Sequence, residues 1–68
     1  MPVHLSVNGE TRRPLEPGRT VEEALNEREL SFGHVAVELN GEVLYRADWE
    51  RVLRDGDRLE VVRLLGGG

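Results

Sequence analysis

Alternation of apolar and polar residues predicts three strands that each bury one face. The pattern covers residues 3–7, 35–39 and 58–64. Because successive side chains of a strand point to opposite faces, a period of two is typical of a strand packed on one side only. Within the last strand, Leu59 and Val61 share one face and are predicted to be core residues.

Two Asn-Gly dipeptides follow the first two of these strands. Asn8-Gly9 and Asn40-Gly41 supply the two positive-φ positions of a tight hairpin turn. Residues 10–15 and 42–45 should therefore return as antiparallel strands. Pro14 and Pro17 limit the strand at 10–15 to an edge of the sheet or to a short length, since proline cannot donate a ladder hydrogen bond.

A capping box predicts one main helix. In Thr20-Val21-Glu22-Glu23 the threonine hydroxyl can accept from the Glu23 amide while the Glu23 carboxylate reaches back. Val21, Ala24 and Leu25 then form an apolar stripe at helical spacing. We expect the helix at residues 21–29.

Two shorter features complete the chain. Asp48 is placed as the N-cap of one helical turn, with Trp49 covering the edge of the core. Asp55-Gly56-Asp57 is predicted to be a turn before the last strand rather than a calcium loop, because the other ligand positions are missing.

The resulting order is strand, strand, helix, strand, strand, strand, which is typical of an α+β fold. It predicts a β-grasp (ubiquitin-like) arrangement, with a mixed sheet of about five strands and the helix packed on one face. The preference for right-handed crossovers favours the last strand lying parallel to the first at the sheet centre. We expect a domain at residues 1–65 and a flexible glycine tail at 66–68.

Composition narrows the function classes. A chain of 68 residues has room for one small core, which argues against an enzyme with its own cofactor pocket.

The formal charge is −4 and all nine basic residues are arginine, so a basic protein is a better partner than nucleic acid. There is no cysteine. His4 is expected at the surface of the first strand and His34 in a loop, and neither is expected to be a metal ligand or a base. The sequence contains no signal peptide or membrane span, so we expect a cytoplasmic protein that does not bind membranes.

The end of the chain contains the candidate chemistry. Val62 and Leu64 should face away from the helix and, with Leu65, form an apolar patch for a partner. Gly66 and Gly67 have no side chains and could thread a narrow channel. The Gly68 carboxylate would then be presented for activation by a partner's ATP, giving an acyl adenylate from which sulfur displaces AMP to leave a thiocarboxylate.

These features together resemble the sulfur carriers of thiamin biosynthesis, the ThiS family. The similarity extends over nearly the whole chain, and the matching stretches are Val7 to Glu10, Thr20 to Leu25, Val35 to Val43, Arg46 with Trp49, and Asp55 to Val62 followed by the glycines. Tyr45 departs from the family, in which many members have proline at that position. Gly66 adds a third glycine to the diglycine that matches Gly67 and Gly68.

The resemblance implies a set of partners and no cofactor bound by this chain. A ThiF-like adenylating enzyme would use ATP and Mg²⁺ to activate Gly68. A sulfurtransferase or cysteine desulfurase would supply the sulfur, and a ThiG-like thiazole synthase would receive it. Carriers of the same fold serve molybdopterin synthesis, cysteine synthesis and tRNA thiolation, and these alternatives stay open. Two alternatives come from other classes: a non-covalent ubiquitin-like interaction module that uses the Val62 and Leu64 face, and a protein modifier that forms isopeptide bonds with lysines of other proteins.

Overall fold

The computed structural model describes residues 1–64, which form one mixed sheet and one α-helix. The elements in chain order are β1 (Val3–Val7), β2 (Glu10–Leu15), α1 (Val21–Glu27), β3 (His34–Leu39), β4 (Glu42–Leu44), a 3₁₀ turn (Arg46–Asp48) and β5 (Arg58–Leu64). No helix in this part of the chain is long and apolar enough to cross a membrane.

The sheet has the strand order β2-β1-β5-β3-β4. β5 pairs in parallel with β1, with Leu59 beside Leu5, and antiparallel with β3, with Val61 beside Val37. The two Asn-Gly hairpins join β1 to β2 and β3 to β4. The predicted β-grasp arrangement, with the last strand parallel to the first at the sheet centre, is confirmed.

Of the two alternatives predicted for the second strand, an edge position or a short length, the structure shows the edge position. β2 pairs only with β1 in the sheet, and the register shifts between Val3, opposite Leu15, and Leu5, opposite Arg12. This irregularity accommodates Pro14, which has no amide hydrogen to donate.

The predicted capping box begins helix α1. The Thr20 Oγ1 atom accepts from the Glu23 backbone N–H at 3.1 Å, and Glu23 Oε1 accepts from the Thr20 N–H at 2.9 Å. These two bonds satisfy amides that have no partner inside the helix. Val21, Ala24 and Leu25 are buried, as predicted.

The helix ends two residues earlier than predicted. Glu29 adopts a left-handed φ of 59°, and its N–H donates to Asn26 O while the Leu30 N–H donates to Leu25 O at 2.8 Å. This is a Schellman motif with glutamate at the position that glycine usually takes. Leu30 is buried, and its burial offsets the strain of the left-handed backbone at Glu29. The sequence pattern did not reveal this helix end.

The prediction that Asp48 caps a helical turn was wrong. The Asp48 N–H donates to Tyr45 O at 2.7 Å, so Tyr45 is the N-cap residue and Asp48 ends the 3₁₀ turn. Strand β4 correspondingly ends at Leu44, one residue before the predicted end.

The core lies between the helix and one face of the sheet. Every residue buried within 1–64 is apolar, and no charged or polar residue of this part is buried. The core residues are Val3, Leu5, Val7, Leu15, Val21, Ala24, Leu25, Leu30, Val37, Leu39, Leu44, Trp49, Leu53, Leu59 and Val61.

Candidate functional site at the end of the central strand

The central strand β5 precedes the glycines in the sequence, with Leu65 between them. Its last residue, Leu64, is also the last residue that the structure describes. Leu65, Gly66, Gly67 and Gly68, which the sequence predicts as a partner contact and a reactive tail, lie outside the described residues. The predicted domain boundary between residues 65 and 66 also lies outside the described residues. The roles of these four residues and the boundary therefore stay predictions.

The two faces of β5 differ sharply in exposure. Leu59 and Val61 are 0% and 1% exposed, whereas Val62 and Leu64 are 49% and 69% exposed. The predicted separation of core and surface residues on this strand is confirmed. Binding of a partner to Val62 and Leu64 remains a prediction.

The exposed side chains of β5 continue onto the neighbouring strands. In the β3–β5 register Ala36 lies opposite Val62, and His34 lies opposite Leu64. We call Ala36, Val62 and Leu64 the outer-face patch. It is apolar, it lies on the face opposite the helix, and it is beside the strand end that leads to the glycines.

Two carboxylates border the outer-face patch. Glu38 lies directly opposite Glu60 in the β3–β5 register, one pair further along the same face than Ala36 and Val62. Like charges opposite each other in a sheet repel, because their Cβ atoms are only about 5 Å apart. A cationic side chain from a partner would relieve this repulsion.

An aromatic contact on the other face of β5 was not anticipated from the sequence. The guanidinium carbon of Arg63 lies 4.6 Å from the centre of the Phe32 ring, and Phe32 is 56% exposed. The contact joins the loop after the helix to the end of β5 through a cation–π interaction. The sequence signal was the single phenylalanine of the chain, located in a polar loop.

Asn8 extends the pairing of β5 beyond the end of β1. Its backbone N–H donates to Val61 O at 2.8 Å, and its side-chain Oδ1 accepts from the Arg63 N–H at 2.8 Å. The sequence predicted the turn at Asn8 but not this contact, which joins residues 55 positions apart.

Asn40 makes the corresponding contacts at the beginning of β5. Its N–H donates to Arg58 O at 2.8 Å, and its Oδ1 accepts from the Arg58 N–H at 2.9 Å. Hydrogen bonds from the Asn40 Nδ2–H group and from the Arg54 backbone N–H lower the pKa of the Asp57 carboxyl group below its ordinary value. The Asp55-Gly56-Asp57 segment is a turn, as predicted.

Arg46 and Trp49 form a structural pair on the helix side of the molecule. The Arg46 guanidinium stacks 4.4 Å from the centre of the Trp49 ring and donates to Ser31 O at 2.6 Å. Trp49 is only 4% exposed, so it is a core residue and not merely a cover for the core edge.

Other candidate chemistry is sparse in the described part. The prediction that His34 lies in a loop was wrong, because His34 is the first residue of β3 and pairs with Leu64 at the end of β5. His4 pairs with Arg58 at the beginning of β5, so the two imidazoles are not brought together. Within residues 1–64 no three histidine, cysteine, aspartate or glutamate side chains are grouped so that they could hold a metal ion.

Comparison with known proteins gives matches over almost the whole chain. The model of the ThiS family matches residues 5–68. The sulfur carrier protein ThiS of Thermus thermophilus is 48% identical over 63 residues, which cover 91% of this chain and 95% of that protein. The crystal structure of a thiamine biosynthesis protein (ThiS) from Geobacter metallireducens has a TM-score of 0.67 at 35% identity and covers 96% of this chain and 99% of that one.

A longer protein also contains a matching region. A thiazole synthase of Paramagnetospirillum magneticum is 40% identical over 65 residues. The match covers 94% of this chain but only 20% of the length of that protein.

Proposed function

The chain belongs to the ThiS family, and on that premise we propose that it is a sulfur carrier of thiamin biosynthesis. In this role the chain is a protein co-substrate that partner enzymes act on in the cytoplasm. A single observation of the structure carries the proposal. Strand β5, which precedes the glycines, lies at the sheet centre and packs one face on the core. Its other face is exposed and accessible to a partner.

The chemistry proposed for Gly68 has three steps. First, a carboxylate oxygen attacks the α-phosphorus of ATP in the adenylating partner and displaces pyrophosphate, while the partner's Mg²⁺ neutralises phosphate charge. Second, the persulfide of a sulfurtransferase or cysteine desulfurase attacks the acyl carbon and displaces AMP, which gives an acyl disulfide. A second thiol of the partner system then attacks the sulfur of that disulfide that came from the partner, which releases the thiocarboxylate and leaves a disulfide on the partner side. The thiocarboxylate formed then donates its sulfur to a thiazole synthase.

The ThiF-like adenylating enzyme is proposed to dock on the outer-face patch, with Leu65 continuing the contact. Val62 and Leu64 are the most exposed apolar side chains of β5. Burying a side chain of this type contributes about 1.5–3 kcal/mol. The adjoining Glu38 and Glu60 favour a partner surface that contributes arginine or lysine at this position.

Intact-protein mass spectrometry tests the Gly68 chemistry. With the adenylating enzyme, ATP and a sulfur source, the chain should gain the mass difference of sulfur for oxygen, and a chain without Gly67 and Gly68 should not. The proposal fails if the complete chain never shows this difference under conditions in which a known carrier does.

Charge substitutions test the docking surface. Val62→Asp and Leu64→Asp should each raise the KM for adenylation by about tenfold or more, since each removes one buried apolar contact. Val52→Asp is the matched control, because Val52 is 48% exposed but lies outside the five-stranded sheet, where it bridges to Thr20 before the helix. Equal effects of all three substitutions would contradict docking at the outer-face patch.

The exposed outer-face patch also favours a second candidate, a non-covalent interaction module of the same fold. Such a module would bind its partner fully after deletion of Gly67 and Gly68, whereas the sulfur carrier would lose all function. Within the carrier class, the proposal predicts sulfur transfer to a thiazole synthase. Transfer only to a molybdopterin, cysteine or tRNA-thiolation enzyme would instead assign the chain to one of those pathways.

A further inference from the structure

The two Asn-Gly turns hold opposite ends of β5 by the same pair of contacts. In each turn the asparagine N–H donates to a carbonyl of β5, and its Oδ1 accepts from an amide of β5. Asn40 contacts Arg58 at the beginning of the strand, and Asn8 contacts Val61 and Arg63 near its end. The turns are also alike in backbone, since Asn8 and Asn40 have φ values of 51° and 53°.

Asn8 takes over the pairing of β5 where β1 can no longer provide it. The register of β1 with β5 ends at Val7 beside Val61, after which the hairpin turns away. The Arg63 N–H would then have no strand beside it on that side, but the Asn8 side chain supplies the acceptor at 2.8 Å. On the other side β3 continues to pair as far as Leu64. Asn8 therefore keeps β5 held from both sides up to the residues that lead into the glycines.

We propose that Asn8 is a positioning residue for the activation of Gly68, because it holds Arg63, and with it the last described part of the chain before the glycines, in place beside the β1–β2 turn and β3. This inference rests on the proposed function. A strand end that is already ordered need not be ordered by the partner, and ordering on binding lowers affinity. Losing the Asn8 contact should thus raise KM for adenylation while kcat stays unchanged, since Asn8 does not touch the reacting atoms.

Four variants separate this role from a merely structural one. Asn8→Gly removes the acceptor but tolerates the positive φ, whereas Asn8→Asp retains an oxygen that can accept from Arg63. Asn40→Gly and Asn40→Asp are the controls at the other end of β5, where they make the same changes at the Arg58 contact and also remove the Asn40 Nδ2–H donor to Asp57.

Hydrogen exchange measured by NMR reports on the contact without any partner. In Asn8→Gly the Arg63 amide should exchange roughly 2- to 12-fold faster, the range expected from losing one hydrogen bond. Asn8→Asp should keep the slow exchange, and Asn40→Gly should accelerate Arg58 but not Arg63. Unchanged exchange of Arg63 in Asn8→Gly would overturn the inference.

Adenylation kinetics report on the consequence. Asn8→Gly should raise KM by a similar factor, Asn8→Asp should restore the wild-type value, and Asn40→Gly should leave it unchanged. A KM that rises equally in Asn8→Gly and Asn40→Gly would show a general loss of stability and would overturn the positioning role. If the wild-type chain is never adenylated, the proposed function fails and the positioning role fails with it. A wild-type chain that is adenylated, with an unaffected Asn8→Gly variant, refutes the positioning role alone.

Discussion

Truncation of alternate leucines on β5 should separate stability from docking. Leu59 is 0% exposed and pairs with Leu5 on one side and Leu39 on the other, at the centre of the core. Leu64 lies on the same strand but is 69% exposed on the opposite face. We predict that Leu59→Ala strongly destabilises the fold and that Leu64→Ala leaves its stability almost unchanged.

The magnitudes follow from the small size of the chain. A domain of 68 residues has a free energy of unfolding of roughly 3–10 kcal/mol. Leu59→Ala removes a fully buried side chain and leaves a cavity, which costs about 2–5 kcal/mol. This is a large fraction of the total, and the midpoint of thermal unfolding should fall by roughly 10–30 °C. Leu64→Ala should cost about 0.5 kcal/mol or less, since it changes an exposed residue.

Denaturant unfolding followed by fluorescence provides the assay. Trp49 is the single tryptophan of the chain and is only 4% exposed, so its emission should report on loss of the core. The adenylation KM of Leu64→Ala should nevertheless rise, although its unfolding curve matches that of the wild type. A loss of stability in Leu64→Ala as large as in Leu59→Ala would refute the assignment of the two faces.

Two further predictions concern the helix start and the turn before β5. Thr20→Ala removes the acceptor for the Glu23 amide and should lower the free energy of unfolding by about 1 kcal/mol, measured by thermal unfolding. The lowered pKa of Asp57 implies stability that is present above the ordinary carboxyl pKa and lost as the pH falls below about 4. Asp57→Asn should therefore reduce the loss of stability in acid, measured by denaturant unfolding at several pH values, and an unchanged acid dependence would contradict the role given to the Asn40 and Arg54 contacts.

The sequence predicted features that depend on neighbouring residues. The strand bounds of β1 and β5 agree with the structure because alternation over five to seven residues defines both the extended backbone and its buried face. The bounds of β2, which does not alternate, agree because the Asn8-Gly9 turn defines where the returning strand begins. The capping box at Thr20 and the Asn-Gly turns could also be predicted, since each depends on only a few consecutive residues.

Features that depend on distant contacts were missed. The helix stops after Glu27 because Leu30 is buried, and this burial depends on the packed core rather than on the local pattern. Leu53 lies outside every strand, yet it is 1% exposed and its N–H donates to Arg19 O at 2.7 Å. The stacking of Arg63 on Phe32 likewise joins segments that periodicity cannot relate.

The number of residues after β5 limits how far the partner's nucleotide can lie from the surface on which the partner docks. If the Gly68 carboxylate is the reacting group, as proposed, it follows Leu64 by four residues, and at no more than about 3.6 Å per residue their maximum span is about 14 Å. A partner that acts on Gly68 must therefore bring its nucleotide within that distance of Leu64. If its active site is deeper than this below its surface, the end of β5 has to enter the partner, together with the exposed Val62 and Phe32 beside it. The end of β5 is apolar and is held by Asn8 and β3, so it needs little further ordering when it enters the partner.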